Sequence, residues 1–160
     1  MNLTEYSRRV SHEVCVGNVK IGSNYPIAVQ SMTNTATADV EASVAQIERI
    51  ADAGAPIVRL TAQGRKEGEN LENIVREVRA EGYDTAIVAD IHFDYKIALE
   101  CAAAGVDKIR INPGNIGGEN NVKEVAFALK SAGIPVRVGS NTGSIEKEFL
   151  QKYGKGEDLK

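Results

Sequence analysis

The sequence predicts an α/β fold, a partial (β/α)8 TIM barrel of about five parallel strands with an N-terminal hairpin. Two observations predict it. A helix–turn–strand unit recurs along the chain, and each strand segment is almost wholly apolar until its last residues, as in strands buried on both faces. The 160 residues suffice for one domain with a core, whereas a complete barrel needs roughly 250 residues.

The repeated unit begins with a glycine at the end of an amphipathic segment. These glycines recur every 23 to 28 residues and are Gly54, Gly82, Gly105 and Gly133. Glycine adopts the left-handed conformation that ends a helix, and a short turn then leads into a β-branched run. Three of the four runs carry an arginine at the matching place, which are Arg59, Arg110 and Arg137.

The elements follow one another in a simple order. Residues 14–22 predict a hairpin that turns at Gly17-Asn18, and we expect it to close the amino-terminal end of the barrel. We therefore divide the chain into an N-terminal segment with the hairpin, 1–22, and a partial barrel domain, 23–160. The first barrel strand is predicted at 27–32, and a fifth helix is predicted to begin near Ser144.

Four segments between the strands have apolar residues at the helical period, for example Val40, Val44 and Ile47 in the first. Asp39 and Asp94 precede the first and third segments and are predicted to cap them. Parallel strands joined in this way fit a barrel or an open doubly wound sheet. No GxGxxG motif follows the first strand, which disfavours a dinucleotide-binding sheet and favours the barrel.

Composition excludes several classes of partner. The net charge of -3 and a pI near 5.5 argue against a nucleic-acid-binding protein, which needs a basic face. No apolar run approaches the roughly 20 residues of a membrane span, and the first 14 residues lack a secretory signal's apolar block. Cys15 and Cys101 are far apart, so we expect two reduced thiols in a cytoplasmic protein.

Polar residues end every predicted strand. They are Gln30–Asn34, Thr61–Gln63, Asp90–His92, Asn112–Asn115 and Ser140–Asn141. In βα folds, the functional groups lie at the carboxyl ends of the strands. The sequence therefore predicts a polar site at this end.

Arg59, Arg110 and Arg137 are expected to converge at that site. Guanidinium groups are always charged and repel one another unless an anion lies between them. A diphosphate meets this need. The alternative is that each arginine pairs with a carboxylate inside the barrel, and Asp90 is available to serve one of them.

Asp90 and His92 are alternate residues of one strand and should share a face. A metal site is possible but weakly indicated by a single Asp/His pair. Contacts to substrate hydroxyls or proton transfer are favoured, and a plain Asp–His hydrogen bond stays open. Asn112–Asn115 predicts a tight turn, and residues 139–143 form a polar loop that weakly suggests an anion seat.

Several stretches closely resemble the 4-hydroxy-3-methylbut-2-enyl diphosphate synthase family. They are VGNVKIG (16–22), PIAVQSMTNT (26–35), VADIHFDYKIAL (88–99), RINPGNIG (110–117) and NTGSIEK (141–147). Members of that family are iron–sulfur enzymes of the non-mevalonate isoprenoid pathway. They reductively open 2-C-methyl-D-erythritol 2,4-cyclodiphosphate, with ferredoxin or flavodoxin as the electron donor. The resemblance implies a barrel that holds this cyclic diphosphate and a C-terminal domain that holds a [4Fe-4S] cluster.

The resemblance also implies roles for residues. The implied catalytic residues are Asp90, His92 and Asn141. The implied substrate-binding residues are Gln30, Ser31, Met32, Arg59, Arg110, Asn112, Arg137 and Ser144, with the first three lining the mouth near the cluster. No residue of this chain is expected to bind metal.

The family's cluster ligands lie in the C-terminal domain, which we expect to be absent here. The chain is thus expected to be part of a larger enzyme and inactive alone. A non-catalytic phosphate-binding barrel module is the alternative. Five strands leave two open edges, which predicts a homodimer or larger assembly.

Overall fold

The computed structural model describes residues 9–145 and 147–154. The start of the predicted segment 1–22 and the end of the predicted domain 23–160 lie outside these residues. Residues 1–8 of the N-terminal stretch that is predicted to lack a secretory signal also lie outside them. No helix formed by the described residues has both the length and the apolar character needed to cross a bilayer.

The described residues form two short strands and then a sheet of five strands. The strands are β1 (Val14–Val16), β2 (Val19–Ile21), β3 (Gln30–Met32), β4 (Ile57–Ala62), β5 (Ala86–Ile91), β6 (Lys108–Ile111) and β7 (Val136–Val138). The helices are α1 (Val40–Asp52), α2 (Arg65–Ala80), α3 (Tyr95–Ala103), α4 (Gly118–Ala132) and α5 (Lys147–Tyr153), with a 3-10 turn at Thr142–Ser144.

Strands β3 to β7 are all parallel, and their order in the sheet is their order in the chain. A doubly wound sheet reverses its strand order at a switch point, and this sheet has no reversal. Each connection between neighbouring strands contains a helix. The predicted partial barrel with five parallel strands is confirmed, and the doubly wound alternative is wrong.

The antiparallel hairpin of β1 and β2 closes one end of the sheet's inner face. Its turn contains Gly17 at a φ of 56°, and Val16 beside it is fully buried against Ile57, Ala86 and Val88. Those three residues lie near the beginnings of β4 and β5. The hairpin therefore lies at the amino-terminal end of the barrel, as predicted.

Strand β5 shows how the two faces divide. Ile87, Ala89 and Ile91 pack in the core shared with the helices, whereas Ala86 and Val88 pack against the hairpin. The inner face thus becomes polar only at Asp90, near the strand's carboxyl end. This alternation places one polar layer at the mouth.

The predicted caps are present. Asp39 accepts a hydrogen bond from the Ala42 amide at 3.1 Å, and Asp94 accepts one from the Lys96 amide at 2.9 Å. Gly133 ends α4 in the left-handed conformation, with a φ of 69°. Each of these residues satisfies backbone groups that a helix end leaves free.

The first barrel strand is shorter than the predicted range 27–32. Strand β3 begins at Gln30, which pairs with Ile57, the first residue of β4. Residues before Gln30 have no partner in the described sheet, and Ile27 and Val29 are exposed. The pairing of β3 therefore begins where β4 begins, at Ile57.

Candidate anion-binding site

The site lies on the inner face of the sheet at the carboxyl ends of β4 to β7. Asp90 pairs in register with Arg110, and Arg110 pairs with Arg137. Thr61 pairs with Asp90, and Arg59 lies two residues before Thr61 on the same face. The alternation of the strands thus brings the three predicted arginines to one face.

Asp90 is the centre of the cluster, and its side chain is 1% exposed. Arg59 donates to Asp90 from Nη2 and also from Nε at 3.1 Å. Arg110 donates from Nη1 to the other carboxylate oxygen at 3.1 Å. The sequence suggested that Asp90 could serve one arginine, and the structure shows that it serves two.

Two opposing effects act on the pKa of Asp90. Burial raises the pKa, but the hydrogen bonds and charge of Arg59, the charge of Arg110 and the His92 contact outweigh it. The pKa of Asp90 therefore lies below its ordinary value. Asp90 is an ionised acceptor, not a proton donor, at neutral pH.

The ionised state of Asp90 determines which ring nitrogen of His92 carries the proton. Its Nε2 lies 3.2 Å from Asp90 Oδ2. An ionised carboxylate only accepts hydrogen bonds, so we assign the ring proton to Nε2. In the neutral ring, Nδ1 is then left as an acceptor, which suits contact with a hydroxyl group or uptake of a proton.

The guanidinium of Arg110 also depends on a small neighbour. A Cβ at Gly139 would lie 2.9 Å from Arg110 Nε and 3.0 Å from Nη2. Gly139 therefore leaves the space that this guanidinium occupies beside β7. Sequence reasoning treated Gly139 only as part of the loop 139–143.

Arg137 is exposed, in contrast to the other two arginines. No carboxylate among the described residues lies within 4.0 Å of it. The predicted convergence therefore holds in part: Arg59 and Arg110 share a carboxylate, and Arg137 adds an uncompensated charge beside Arg110.

Sequence reasoning missed Lys108. It lies two residues before Arg110 on the same face, is 8% exposed, and its Nζ is 3.5 Å from Gln30 Oε1. The signal was present in the KIRI run, where alternate residues share a face. The inner face thus carries four cationic side chains of described residues, Lys108, Arg59, Arg110 and Arg137, near a single carboxylate.

Strand β3 contributes differently from the prediction. Gln30 and Met32 lie on the inner face, since Met32 pairs with Arg59. Ser31 points the other way and lines a groove with Gln46 and Arg49 of α1. Ser31 therefore does not share the inner face with Gln30 and Met32, because consecutive residues of a strand point to opposite faces.

The turn after β6 brings Asn112 to the mouth. Its side chain is 1% exposed, and its Oδ1 accepts from the Gly114 amide at 3.2 Å. Gly114 lies directly against the Ser144 carbonyl, where a larger residue would clash with backbone. This contact holds the loop after β7 against the turn after β6.

Asn141 and Ser144 belong to that loop. Ser144 Oγ accepts from the Asn141 amide and donates to the Asn141 carbonyl, each at 3.1 Å. Asn141 is exposed and begins only a 3-10 turn. The loop is thus placed near the site, and α5 begins at Lys147, shortly after the predicted start near Ser144. The anion seat suggested for residues 139–143 stays a prediction.

Cys15 and Cys101 do not fit a [4Fe-4S] cluster. Cys15 lies on the exposed hairpin, whereas Cys101 is fully buried in α3. Burial, with a smaller effect of Glu100, raises the pKa of Cys101 to about 12, so its thiol stays protonated. Among the described residues, no three His, Cys, Asp or Glu side chains form a group that could hold a metal ion.

Residues 11–159 match the family described as the GcpE TIM-barrel domain. A 4-hydroxy-3-methylbut-2-en-1-yl diphosphate synthase (flavodoxin) from Caldanaerobacter subterraneus subsp. tengcongensis is 49% identical over 147 residues, covering 92% of this chain and 40% of that protein. The protein of that name from Ectopseudomonas mendocina is 53% identical over 147 residues, covering 92% of this chain and 38% of its own. The chain thus spans 38–40% of the length of these relatives.

Solved structures show the same fold at low identity. The dihydropteroate synthase of Yersinia pestis superposes with a TM-score of 0.58 at 13% identity, over 88% of this chain and 60% of that one. The 7,8-dihydropteroate synthase of Vibrio fischeri ES114 superposes with a TM-score of 0.54 at 14% identity, over 89% of this chain and 73% of that one. These likenesses concern the barrel alone. The family match and the close relatives together decide the assignment, and the chain belongs to the GcpE TIM-barrel domain family.

Proposed function

We propose that this chain is the substrate-binding barrel portion of a 4-hydroxy-3-methylbut-2-enyl diphosphate synthase, which holds 2-C-methyl-D-erythritol 2,4-cyclodiphosphate at the strand ends. The observation that carries the proposal is the arginine cluster around Asp90. The relatives, about half identical to this chain, bear the name of that enzyme. Their name supports the proposal for this chain.

The cluster suits a diphosphate for electrostatic reasons. Asp90 fixes Arg59 and Arg110 in position before a ligand arrives, so little side-chain entropy is lost on binding. One carboxylate cannot neutralise the charge of two guanidiniums. A guanidinium also has five N–H donors, and the contacts with Asp90 use only some of them, so each arginine retains donors for phosphoryl oxygens. Arg137 is exposed at the same face and adds further positive charge.

The polar residues around the cluster are proposed to contact the rest of the substrate. His92 Nδ1 is the acceptor placed for a hydroxyl group, and Asn112 and Asn141 offer amide groups at the mouth. Gln30, Met32 and Ser144 complete the lining. Ser31 is left out of the proposal because it lies on the helix side of β3.

The two cysteines supply no ligand set for an iron–sulfur cluster, so any reductive step depends on residues outside this sequence. We propose that the chain alone binds the substrate without turnover. Delivery of electrons by flavodoxin or ferredoxin and a cytoplasmic location are proposed for the whole enzyme. The names of the relatives include flavodoxin.

Calorimetric titration tests the binding function. The 160-residue chain is titrated with 2-C-methyl-D-erythritol 2,4-cyclodiphosphate and, as a control ligand, with 2-C-methyl-D-erythritol, which lacks phosphates. Arg110→Lys should weaken binding about tenfold, since a lysine loses the paired guanidinium contacts. Arg76→Lys, on the exposed face of α2, is the matched control and should have no effect. Equal affinities for the two ligands, or an unchanged affinity of Arg110→Lys, would contradict the proposal.

A further inference from the structure

Lys108 is a buried cation that crosses the interior of the barrel. It begins β6, and its Nζ lies 3.5 Å from Gln30 Oε1 on β3. Strands β4 and β5 separate β3 from β6 in the sheet. The side chain therefore extends over the inner face below the arginine cluster, and its charged end lies near the middle of the interior.

The surroundings of Lys108 hold no compensating carboxylate. The charged and titratable groups on the neighbouring strands are Arg59 on β4, Asp90 and His92 on or after β5, Arg110 on β6 and Arg137 on β7. Asp90 already accepts from both Arg59 and Arg110. Within the described residues, no carboxylate lies within 4.0 Å of Lys108 Nζ.

A buried ammonium without a counter-ion is costly, and folding alone gives no reason to retain one. The neutral partner Gln30 accepts a single long hydrogen bond and removes no charge. A ligand anion at the mouth would supply the missing charge. We propose that Lys108 forms the floor of the anion site and contacts a phosphoryl group of the bound diphosphate from below.

This inference rests on the proposed function and adds a fourth cation to it. Burial lowers the pKa of Lys108, and the charges of Arg137 and Arg59 lower it further. A bound anion acts in the opposite direction and favours the ammonium form. As the pH rises toward the lowered pKa, the free chain loses the Lys108 proton, so binding must be accompanied by proton uptake. Asp90, whose pKa is lowered, stays ionised in this alkaline range.

The test uses inorganic pyrophosphate as the probe and the 160-residue chain. Calorimetric titrations at pH about 7 and about 9, in buffers of different ionisation enthalpy, give both the affinity and the protons taken up. The variants are Lys108→Met and Lys108→Gln, and both remove the charge. Lys130→Met, at an exposed position in the last turn of α4, is the matched control. Circular dichroism checks that each variant is folded.

We expect both Lys108 variants to bind pyrophosphate about tenfold more weakly or worse, while Lys130→Met stays within about twofold. Pyrophosphate itself exchanges protons in this pH range, so proton uptake is compared between chains. At the higher pH the wild-type chain should take up more protons on binding than the Lys108 variants do. If the wild-type chain binds pyrophosphate and the Lys108 variants match it, the inference is overturned and the proposed function stands. Absence of binding by the wild-type chain would overturn both.

Discussion

At the scale of the residue, the site depends on one carboxylate that neutralises only part of the charge around it. Asp90 is almost fully buried and accepts from Arg59, Arg110 and His92. A buried carboxylate with such partners stays ionised despite desolvation. It therefore holds the two guanidiniums in position and neutralises only part of their charge.

We predict that Asp90→Asn lowers the free energy of unfolding at pH 7 by about 3 kcal/mol, because two half-buried arginines lose their shared, fully buried counter-ion. Since the pKa of Asp90 is lowered in the folded chain, its stabilising effect is present above its unfolded pKa of about 4 and is lost as the pH falls through the folded value.

Urea denaturation of both proteins between pH about 7 and about 2 checks this prediction. The difference in stability between wild type and Asp90→Asn should shrink as the pH falls through the folded pKa of Asp90. A difference independent of pH would show that the lost charge is not its cause. Glu119→Gln, whose i,i+4 ion pair with Lys123 is exposed, is a control and should change stability by less than about 0.5 kcal/mol.

At the scale of the element, the N-terminal hairpin acts as the closing layer of the barrel interior. Val16 is fully buried against β4 and β5, and Asn18 donates to Asp84 at 2.7 Å beside the turn. The hairpin covers the apolar side chains of Ile57, Ala86 and Val88 at the amino-terminal end of the inner face. A low-dielectric floor strengthens the electrostatic interactions of the cations above it.

Val16→Ala should therefore destabilise the fold by about 1–3 kcal/mol, through lost burial and the cavity left between hairpin and sheet. Val14→Ala in the same strand, where the side chain is 40% exposed, should cost less than about 0.5 kcal/mol. Chemical denaturation measures both changes. Equal effects of the two substitutions would contradict the packing described for the hairpin.

At the scale of the whole molecule, the sheet of described residues is open. Strands β3 and β7 each have one partner in it, and both lie at its edges. Val136 and Val138 of β7 are 43% and 63% exposed, and Phe127 of α4 is 75% exposed. Unpaired edge strands and contiguous apolar surface favour association with another chain.

We accordingly predict that the 160-residue chain forms a dimer or a larger assembly at micromolar concentration. Size-exclusion chromatography with light scattering measures its mass. Val138→Lys should shift the chain toward the monomer, because a charge on an edge strand opposes pairing. Val10→Lys, at another exposed valine, is the control. A monomeric wild-type chain would contradict the prediction.

The sequence by itself determined the fold class and the layer in which the site lies. The glycine repeat predicted the helix ends. Side chains alternate between the two faces of a strand, and this alternation predicted that the polar strand ends bring four residues to one mouth: Arg59, Asp90, Arg110 and Arg137. Both are local properties of the chain. The caps at Asp39 and Asp94 were predictable for the same reason, since a cap is decided within three residues.

Only the tertiary structure decided how these residues meet. That Asp90 serves two arginines, that Lys108 reaches Gln30, and that Gly139 makes room for Arg110 depends on contacts between different strands. The strand register also decided that Ser31 lies on the opposite face of β3 from Gln30 and Met32. Such contacts depend on the strand register and on the packing of side chains across the sheet. Both are relations between several segments, so the sequence of one segment alone does not determine them.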